Sequence, residues 1–320
     1  IPIRGEYYGS SIRKDATTNS GNYIVKELRV PLGYYVNEEP MEVTFTYDGQ
    51  AIMVLDNTCS NKPTEMWVSK RDLTNDEELP GATLAIKDMD GNIVTTWVST
   101  DEPHRVTGLH FGESYTLTEI RAADGYALAD NITFRLIQKT DEGGNPLEEC
   151  EVYYLTTKNI LFWKWDDWRL LDDATVIMRD DITKVQISKK DLTTKEELPG
   201  AELTLTDEKG NEIDRWVSTD APHYMERLPA GKYTLTEVTA PDGYAIAERV
   251  EFEVLPTGEV QTFEMFDDTI KVKISKVDIT TNEELPGAEL VIKDKDGTEI
   301  DRWISTRVSM PFSFLSPVAA

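Results

Sequence analysis

Apolar and polar residues alternate with a period of two along most of the chain, which is typical of β-strands that bury one face. The stretch VQISKKD shows this, since Val185, Ile187 and Lys189 share one face while Gln186 and Ser188 lie on the other. The face with two apolar residues is predicted to be the buried one. It also carries a lysine, and that placement needs a chemical explanation.

Turn signals divide the strands into short units. Pro-Gly pairs predict type II turns, and glycines that follow charged residues predict tight hairpins. The pairs lie at 80–81, 199–200 and 286–287, and the hairpin glycines are Gly91, Gly210 and Gly297. Short strands with regular turns and no helical periodicity predict an all-β chain built from β-sandwiches.

One module recurs along the chain. VSKRDLTNDEELPGATLAIKDMDGN begins at Val68, ISKKDLTTKEELPGAELTLTDEKGN at Ile187 and ISKVDITTNEELPGAELVIKDKDGT at Ile274. YTLTEIRAADGY and YTLTEVTAPDGY follow in the first two copies, and YIVKELRVPLGY from Tyr23 resembles this late segment. The repeats predict a late half module at 1–66, complete modules at 67–183 and 184–270, and an early half module at 271–320.

The first complete module carries an insertion at about residues 139–173, which includes LFWKWDDWRLL. Trp163 and Trp165 would share a strand face, so the simpler interpretation is a longer hairpin with one aromatic side. The sharper interpretation, which includes Trp168, is an exposed aromatic patch that binds a sugar or a protein. After Thr306 the third copy departs from the repeat, and we expect a frameshift or a truncation there.

Each module also aims charged residues at its apolar face. A lysine follows apolar positions in the first strand, a glutamate follows them in a late strand, and an aspartate ends the closing strand. The lysines are Lys70, Lys189 and Lys276, the glutamates are Glu27, Glu119 and Glu237, and the aspartates are Asp56, Asp180 and Asp267, with Asn57 a rival to Asp56. Each complete module therefore brings Lys, Glu and Asp inward from three strands.

Burial limits what these groups can be. An isolated buried charge is costly, so the three groups must meet or be neutral. Burial disfavours charged forms, which leaves a neutral amine beside a protonated carboxyl. These can condense to an amide, with Lys giving the nitrogen, Asp the carbonyl carbon, and Glu polarising the carbonyl and moving protons. The alternatives are a buried Lys–Glu ion pair with Asp as third partner, or a lysine at a solvated edge.

Composition narrows the partners. The formal net charge is −26, so nucleic acid and anionic membranes are poor partners, and no long apolar run predicts a membrane span. Cys59 and Cys150 are too few for a disulfide framework and match no metal motif, and we expect no cofactor.

His104 and His223 recur in STD-x-P-H and are expected to be loop histidines with local hydrogen bonds. No Ser/His/Asp arrangement or phosphate loop predicts a turnover enzyme.

The combination of ISKKD…ELPGAEL, YTLTEVTAPDGY and a closing V-x-M-x-D strand resembles Cna B-type domains. These are also called SpaA-type pilin or prealbumin-like domains, and they occur on Gram-positive cell surfaces. The resemblance implies tandem Greek-key β-sandwiches, each closed by an intramolecular isopeptide bond between Lys and Asp that a Glu promotes.

Carried onto this chain, the resemblance implies two bonds. Lys70 would join Asp180 with Glu119 as promoter, and Lys189 would join Asp267 with Glu237 as promoter. Within this sequence, Glu27 and Asp56 lack a lysine, and Lys276 lacks its Glu and Asp.

The same resemblance implies a stalk or backbone segment of a secreted pilin or adhesin, in tandem with neighbouring domains. The alternative is an adhesin module that binds a host extracellular-matrix or cell-surface ligand through loops or the Trp-rich insertion. Self-crosslinking would be a single turnover, so the chain is not expected to be an enzyme. The chain lacks an initiator Met, a signal peptide and an LPxTG signal, so we expect an internal piece whose cell-wall anchor lies elsewhere.

Overall fold

The computed structural model describes residues 21–27, 29–36, 40–45, 58, 60–160 and 163–313. These residues form 22 β-strands and one short 3-10 helix, Asp172–Ala174, and include no α-helix. The prediction of an all-β chain is therefore confirmed. The described part of the chain contains no helix with the length and hydropathy of a membrane span.

The chain divides into two compact units, one of Ile1–Ala123 with Leu128–Asp181 and one of Asp124–Ala127 with Ile182–Ala320. The first unit contains β1 (Gly21–Val25), β2 (Met41–Phe45), β3 (Glu65–Asp72), β4 (Thr83–Lys87), β5 (Ile93–Val98), β6 (His104–Thr107), β7 (Ser114–Arg121), β8 (Ile132–Thr140), β9 (Pro146–Ile160), β10 (Trp163–Leu171) and β11 (Thr175–Asp180). The second contains β12 (Lys184–Asp191), β13 (Glu202–Asp207), β14 (Glu212–Val217), β15 (His223–Glu226), β16 (Gly231–Thr239), β17 (Val250–Val254), β18 (Val260–Asp267), β19 (Lys271–Ile274), β20 (Glu289–Lys293), β21 (Glu299–Ile304) and β22 (Met310–Ser313).

The first complete module is a sandwich of two sheets. One sheet has three strands in the order β11-β3-β6, and the other has six in the order β10-β9-β8-β7-β4-β5. The first and last strands, β3 and β11, are parallel neighbours, with Lys70 opposite Met178 and Asp72 opposite Asp180. Inward residues of both sheets, such as Leu117, form one buried core.

The second complete module repeats this frame with fewer strands. Its sheets have the orders β15-β12-β18 and β14-β13-β16-β17. The first and last strands, β12 and β18, are again parallel, with Lys189 opposite Met265 and Asp191 opposite Asp267. Its core forms in the same way around residues such as Leu235.

The insertion in the first module is the hairpin of β9 and β10. β9 also pairs with β8, so the hairpin adds two strands to one edge of the sheet, and the prediction of a longer hairpin is confirmed. Trp165 is 42% exposed, whereas the Trp168 ring lies 4.2 Å from the guanidinium carbon of Arg135. Trp165 and Trp168 therefore do not share one exposed aromatic patch.

The turns have the backbone conformations that the sequence predicts. The glycines of the three Pro-Gly pairs have positive φ, the value that a type II turn requires at its third residue. They are Gly81 (+97°), Gly200 (+96°) and Gly287 (+92°).

The half modules keep parts of the same frame. β1 pairs with β2, β20 with β21, and β19 with β22. Ile274 lies opposite Met310 in the last pair, as Ile187 lies opposite His223 in the second module. The sequence departs from the repeat after Thr306, but the strand pairing of the repeat continues to Ser313, because ladder hydrogen bonds use backbone groups and not side chains. Pro311 in β22 supplies a carbonyl but no N–H to this pairing.

Candidate functional site

The two lysines of the complete modules lie inside the sandwiches. Lys70 follows Met66 and Val68 on the core side of β3, and Lys189 follows Val185 and Ile187 on the core side of β12. Both lysine side chains are 1% exposed. The strand period therefore carries the ammonium groups to the positions that the alternation predicts.

In the first module, three charged groups from three strands meet. Lys70 Nζ contacts Asp180 Oδ1 on the neighbouring strand β11 and lies 3.0 Å from Glu119 Oε1 on β7. β7 belongs to the opposite sheet, so the cluster crosses the sandwich. The carboxyls of Glu119 and Asp180 are fully buried.

The second module repeats this geometry. Lys189 Nζ contacts Asp267 Oδ1 on β18 and lies 3.0 Å from Glu237 Oε1 on β16. Both carboxyls are again fully buried. The structure therefore brings together the same three residue types twice, from equivalent strands.

A backbone donor that the sequence did not identify orients each glutamate. The N–H of Ala129 donates to Glu119 Oε2 (2.7 Å), and the N–H of Ala247 donates to Glu237 Oε2 (2.6 Å). Each bond leaves Oε1 facing the lysine. The signal for these donors is the pair GYALA at 125–129 and GYAIA at 243–247, which matches between modules.

A β-bulge accompanies each glutamate. The pairing register shifts next to Glu119, where Ile120 is the extra residue of β7, and next to Glu237, where Val238 is the extra residue of β16. Bulges bend a strand locally and re-aim side chains, and they are frequent beside active sites. After each inward glutamate the bulge leaves two successive residues exposed, Ile120 and Arg121 in β7 and Val238 and Thr239 in β16.

Hydrogen bonds from neighbouring loops hold the strands that carry the lysine and the aspartate in place. The carbonyl of Lys70 accepts from the N–H of Leu79, and that of Lys189 accepts from Leu198, both at 2.7 Å. The carbonyl of Asp180 likewise accepts from the N–H of Leu73 at 2.8 Å. The recurring ELPG segment therefore fixes the backbone that carries the lysine.

Burial shifts the protonation of both aspartates. It raises the pKa of Asp180 to about 7 and that of Asp267 to about 6, against the opposing attraction of the adjacent lysine. The neighbouring glutamate raises both further, because two close carboxylates repel. Asp180 Oδ2 and Asp267 Oδ2 are buried without a hydrogen-bond partner among the described residues. A proton on either carboxyl of a site lets it donate to the other.

Both complete modules match a known family of domains. The model of the SpaA prealbumin-like fold domain matches residues 64–143 and 183–269, which is more than half of the chain. The chain belongs to the SpaA prealbumin-like fold domain family. Each match covers most of one complete SpaA-type module and contains its lysine and its glutamate.

Three solved structures are similar to the chain. The Bacillus anthracis TIE protein is 23% identical over 79% of this chain, with a TM-score of 0.38, and the match covers 44% of that protein's length. Shaft pilin SpaA from Lactobacillus rhamnosus GG is 13% identical, with 65% and 98% coverage and a TM-score of 0.27. A C-terminal fragment of pilus adhesin SpaC from that organism is 17% identical, with 65% and 97% coverage and a TM-score of 0.35. No curated protein matches the chain.

The half modules supply parts of the same cluster. Glu27 Oε2 accepts a hydrogen bond from Asn61 Nδ2 (2.6 Å). Lys276 is half-buried, and within 163–313 the structure brings no carboxylate to ion-pair distance of it. The predicted Asp56, and its rival Asn57, lie outside the described residues.

The two repeated histidines begin strands rather than lying in loops, which corrects the prediction. His104 stacks on Trp97 (4.3 Å between ring centroids) in the first SpaA-type module. His223 stacks on Trp216 in the same way in the second, and its Nε2 lies 2.7 Å from Asp214 Oδ2. Stacking across the β5–β6 and β14–β15 corners explains their recurrence without a catalytic role.

Two further features complete the site. A cavity of about 110 Å³ borders Lys189, with Trp216, Ser218 and His223 in its lining, and it is large enough to hold water. The described residues contain no group of three or more His, Cys, Asp or Glu arranged to hold a metal ion.

Proposed function

We propose that the chain is a structural segment of an extracellular surface protein, of the pilin or adhesin stalk type, whose complete modules close themselves with Lys–Asp amides. The observation that carries this proposal is the recurrence of one buried Lys–Glu–Asp cluster with the same contacts in both modules. We also propose that the protein lies outside a Gram-positive cell and is anchored to the cell wall, because its family includes such surface proteins.

The chemistry is a condensation within the core. The aspartate carboxyl carries a proton, the lysine ammonium passes one of its protons to the glutamate, and the neutral amine attacks the carboxyl carbon. A new C–N bond forms and one C–O bond breaks. The departing oxygen leaves as water with the carboxyl proton and one further proton from the nitrogen, and the glutamate ends with the other. The glutamate, held by the alanine N–H, carries protons between nitrogen and the departing oxygen.

Burial favours this condensation over a lasting ion pair. Each cluster holds one ammonium and two carboxyls buried from bulk solvent, so full ionisation leaves an excess negative charge that bulk water cannot stabilise. The raised pKa of Asp180 and of Asp267 supports protonation of one carboxyl at each site. A neutral amide removes two charges from each core and releases water to the surroundings.

The position of the link suits a load-bearing segment. Lys70 and Asp180 lie 110 positions apart, and Lys189 and Asp267 lie 78 apart, yet each pair joins the first strand of its module to the last. Tension that enters by the first strand and leaves by the last would pass through the amide instead of unfolding the sandwich. The reaction runs once for each module, so we propose a self-crosslinking protein and not a turnover enzyme.

Intact-mass spectrometry of the purified 320-residue chain tests the proposal. Two amides lower the mass by two water molecules relative to the sequence. Lys70→Ala and Lys189→Ala should each restore one water, and Glu119→Gln and Glu237→Gln should do the same while keeping the lysine. Lys190→Ala is the matched control, because Lys190 is adjacent to Lys189 but pairs with Glu264 at the surface.

A second readout locates the bonds. Tryptic digestion should yield one branched peptide that joins the β3 and β11 segments and another that joins the β12 and β18 segments. A full-mass chain whose four peptides separate without modification would overturn the proposal and leave two buried ion-pair clusters.

A further inference from the structure

An open cleft of about 450 Å³ lies in the first unit, and the amide chemistry does not use it. Strand β3, the base of the inserted β9–β10 hairpin and the segment before β3 line it, and Lys70 is not among the lining residues. This volume is within the range of small-ligand and side-chain sites. Because β9 and β10 occur only in the first complete module, the cleft is a product of the insertion.

The floor of the cleft is fixed by packing. Tyr35 is buried and packs against Phe111, with 5.4 Å between ring centroids. Cys150 is half-buried, and its thiol donates to the backbone carbonyl of Glu65 at 3.0 Å. A floor held by these contacts is preformed, which lowers the entropy cost of binding.

One wall of the cleft is apolar and accessible. Trp67 is 38% exposed, and Leu170 is 51% exposed on the hairpin. Gln186 occupies the position of Trp67 in the second module, so the repeat itself does not require an aromatic residue there. An indole face at a cleft wall is the best side-chain partner for a cation.

The cleft is also acidic. Five carboxylate residues line it, Glu65, Glu148, Glu149, Glu151 and Asp173, against two lysines, Lys62 and Lys139. Glu65 is ion-paired with Arg105 on the neighbouring strand, so the unbalanced charge comes from the other carboxylates. Lys139 is already paired with Glu149 at 2.9 Å, and Lys62 donates to the backbone carbonyl of Glu148 at 3.4 Å. The excess negative charge attracts a cation and disfavours an anionic ligand.

The backbone at the lip is held in an unusual conformation. Asp173 and Ala174 have φ of 57° and 48°, in the left-handed region that costs energy for residues with a Cβ atom. Such strain persists where surrounding structure fixes it, and it is frequent at ligand sites. Here it places the Asp173 backbone at the edge of the cleft.

We propose that this cleft binds an arginine or lysine side chain presented by a peptide segment of another protein. The cation lies against the face of Trp67, the stem of its side chain contacts Leu170, and the carboxylates of Glu148 and Glu151 surround it. A neutral glycan would stack on the indole and could donate hydroxyl hydrogen bonds to the carboxylates, but it would leave their charge uncompensated, so the net charge of the cleft favours the cation.

Fluorescence anisotropy with the full chain tests the site. The probe is a fluorescein-labelled octapeptide of alternating arginine and glycine, and its control replaces each arginine with neutral citrulline. Saturable binding of the arginine peptide is expected, with affinity lowered about tenfold by Trp67→Gln, in line with a desolvated cation–π contact. Trp165→Gln removes an exposed tryptophan of the β9–β10 hairpin that does not line the cleft, and it should leave binding unchanged.

Charge variants separate the cleft from the general acidity of the chain. Glu148→Gln with Glu151→Gln should weaken binding and flatten its salt dependence, whereas Glu251→Gln with Glu253→Gln, on β17 of the second module, should not. An unchanged circular-dichroism spectrum and unfolding midpoint in each variant show that both modules fold, whether or not the amides form. Equal binding by the Trp67 variant, equal loss from the β17 pair, or binding of a neutral N-acetylglucosamine oligomer in place of the peptide would each overturn the proposal.

Discussion

The two complete modules build the same charged cluster inside sheets of different size. In the first, the sheet that carries Glu119 has six strands, and in the second, the sheet that carries Glu237 has four. The distances from lysine to glutamate are nevertheless both 3.0 Å. The cluster therefore depends on three strands, the first, the last and the one across the core, and the outer edge of the sheet is free to vary.

The modules differ in what lies beside the cluster. The added strand β9 places Val152, which is fully buried, against the first core, whereas a cavity borders Lys189 in the second. Burial is nevertheless the main cause of the raised pKa of both Asp180 and Asp267, and the side chains of both clusters are at most 1% exposed. The edge strands therefore change the surroundings of the site without forming it.

The largest expected effect comes from removing a lysine. Lys70→Ala should destabilise the first module, and Lys189→Ala the second, because each loses its link and leaves two carboxyls without a cation. Loop-closure entropy for links of this span is worth roughly 4–5 kcal/mol, and orphaning a buried charge adds about 3–5 kcal/mol. Calorimetry should show a fall of 20 °C or more in the midpoint of the affected module, using about 4–8 °C per kcal/mol for domains of this size.

Glu119→Gln separates the loop-closure contribution from the cost of an unpaired buried charge, since it prevents the amide but keeps Lys70 paired with Asp180. The loss of stability in Glu119→Gln should therefore be smaller than in Lys70→Ala. Because the spans of 110 and 78 positions differ little on a logarithmic scale, the two modules should lose similar amounts. A lysine variant with the same unfolding midpoint as the unsubstituted chain would contradict the proposed covalent link.

The sequence was sufficient to place the lysine, glutamate and aspartate of each complete module on buried faces. Residues such as Lys70 and Asp180 lie at fixed parity from Val68 and Val176. The Ala129 N–H and the bulge at Ile120 could not be predicted from this alternation, because a backbone donor and a register shift do not change it. The matching segments at 125–129 and 243–247 mark where the donor lies but not which group it binds.

The second prediction concerns pH and again contrasts the modules. Amide formation needs a protonated aspartate carboxyl. The rate of amide formation should therefore fall as pH rises through the pKa of that carboxyl, about 7 for Asp180 in the first module and about 6 for Asp267 in the second. Before linkage, the raised pKa also means that folding takes up a proton. That stabilisation is full below the ordinary pKa of 3.8 and is lost as pH rises through the folded value.

Refolding the chain from an unfolded, unlinked preparation measures this. The rate at which each branched peptide accumulates should fall as the pH is raised through the folded pKa of its aspartate. Quantitative mass spectrometry of quenched samples follows both peptides in one tube. Rates that do not change with pH would show that the aspartate proton does not set the chemistry.

A smaller effect is expected at the joint between the hairpin and the sheet. The guanidinium carbon of Arg135 lies 4.2 Å from the Trp168 ring and 5.9 Å from the Tyr153 ring. Arg135→Leu keeps the apolar stem and removes the cation, which should cost about 1–2 kcal/mol. Hydrogen exchange should speed up in β9 and β10, while the water deficit of the first module stays. A lost deficit would show that the insertion and the cluster are not independent.

The cleft and the pairing of β22 could not be predicted from the alternation of apolar and polar residues or from the repeats. Lys62, Cys150 and Leu170 are far apart in sequence, so only the folded hairpin brings them to one cleft. The tail at Met310–Ser313 pairs with β19 although its sequence has left the repeat. Tertiary contacts and backbone hydrogen bonds decide both features, and neither has a periodic signature.

The smallest expected effect lies at the stacked histidines. His223 has Asp214 as a partner, but the equivalent position in the first module is Thr95, and burial lowers the pKa of His104. Thr95→Asp should supply the missing carboxylate and raise the pKa of His104. The lowered pKa in the present chain destabilises the fold as pH falls below the ordinary value of 6.5, so the variant should reduce that loss, by less than about 1 kcal/mol for a pair this exposed. Proton NMR titration of the His104 imidazole measures the shift. If Thr95→Asp does not change that titration, the stacking on Trp97 and burial set the environment of His104, and the carboxylate is an incidental difference between the modules.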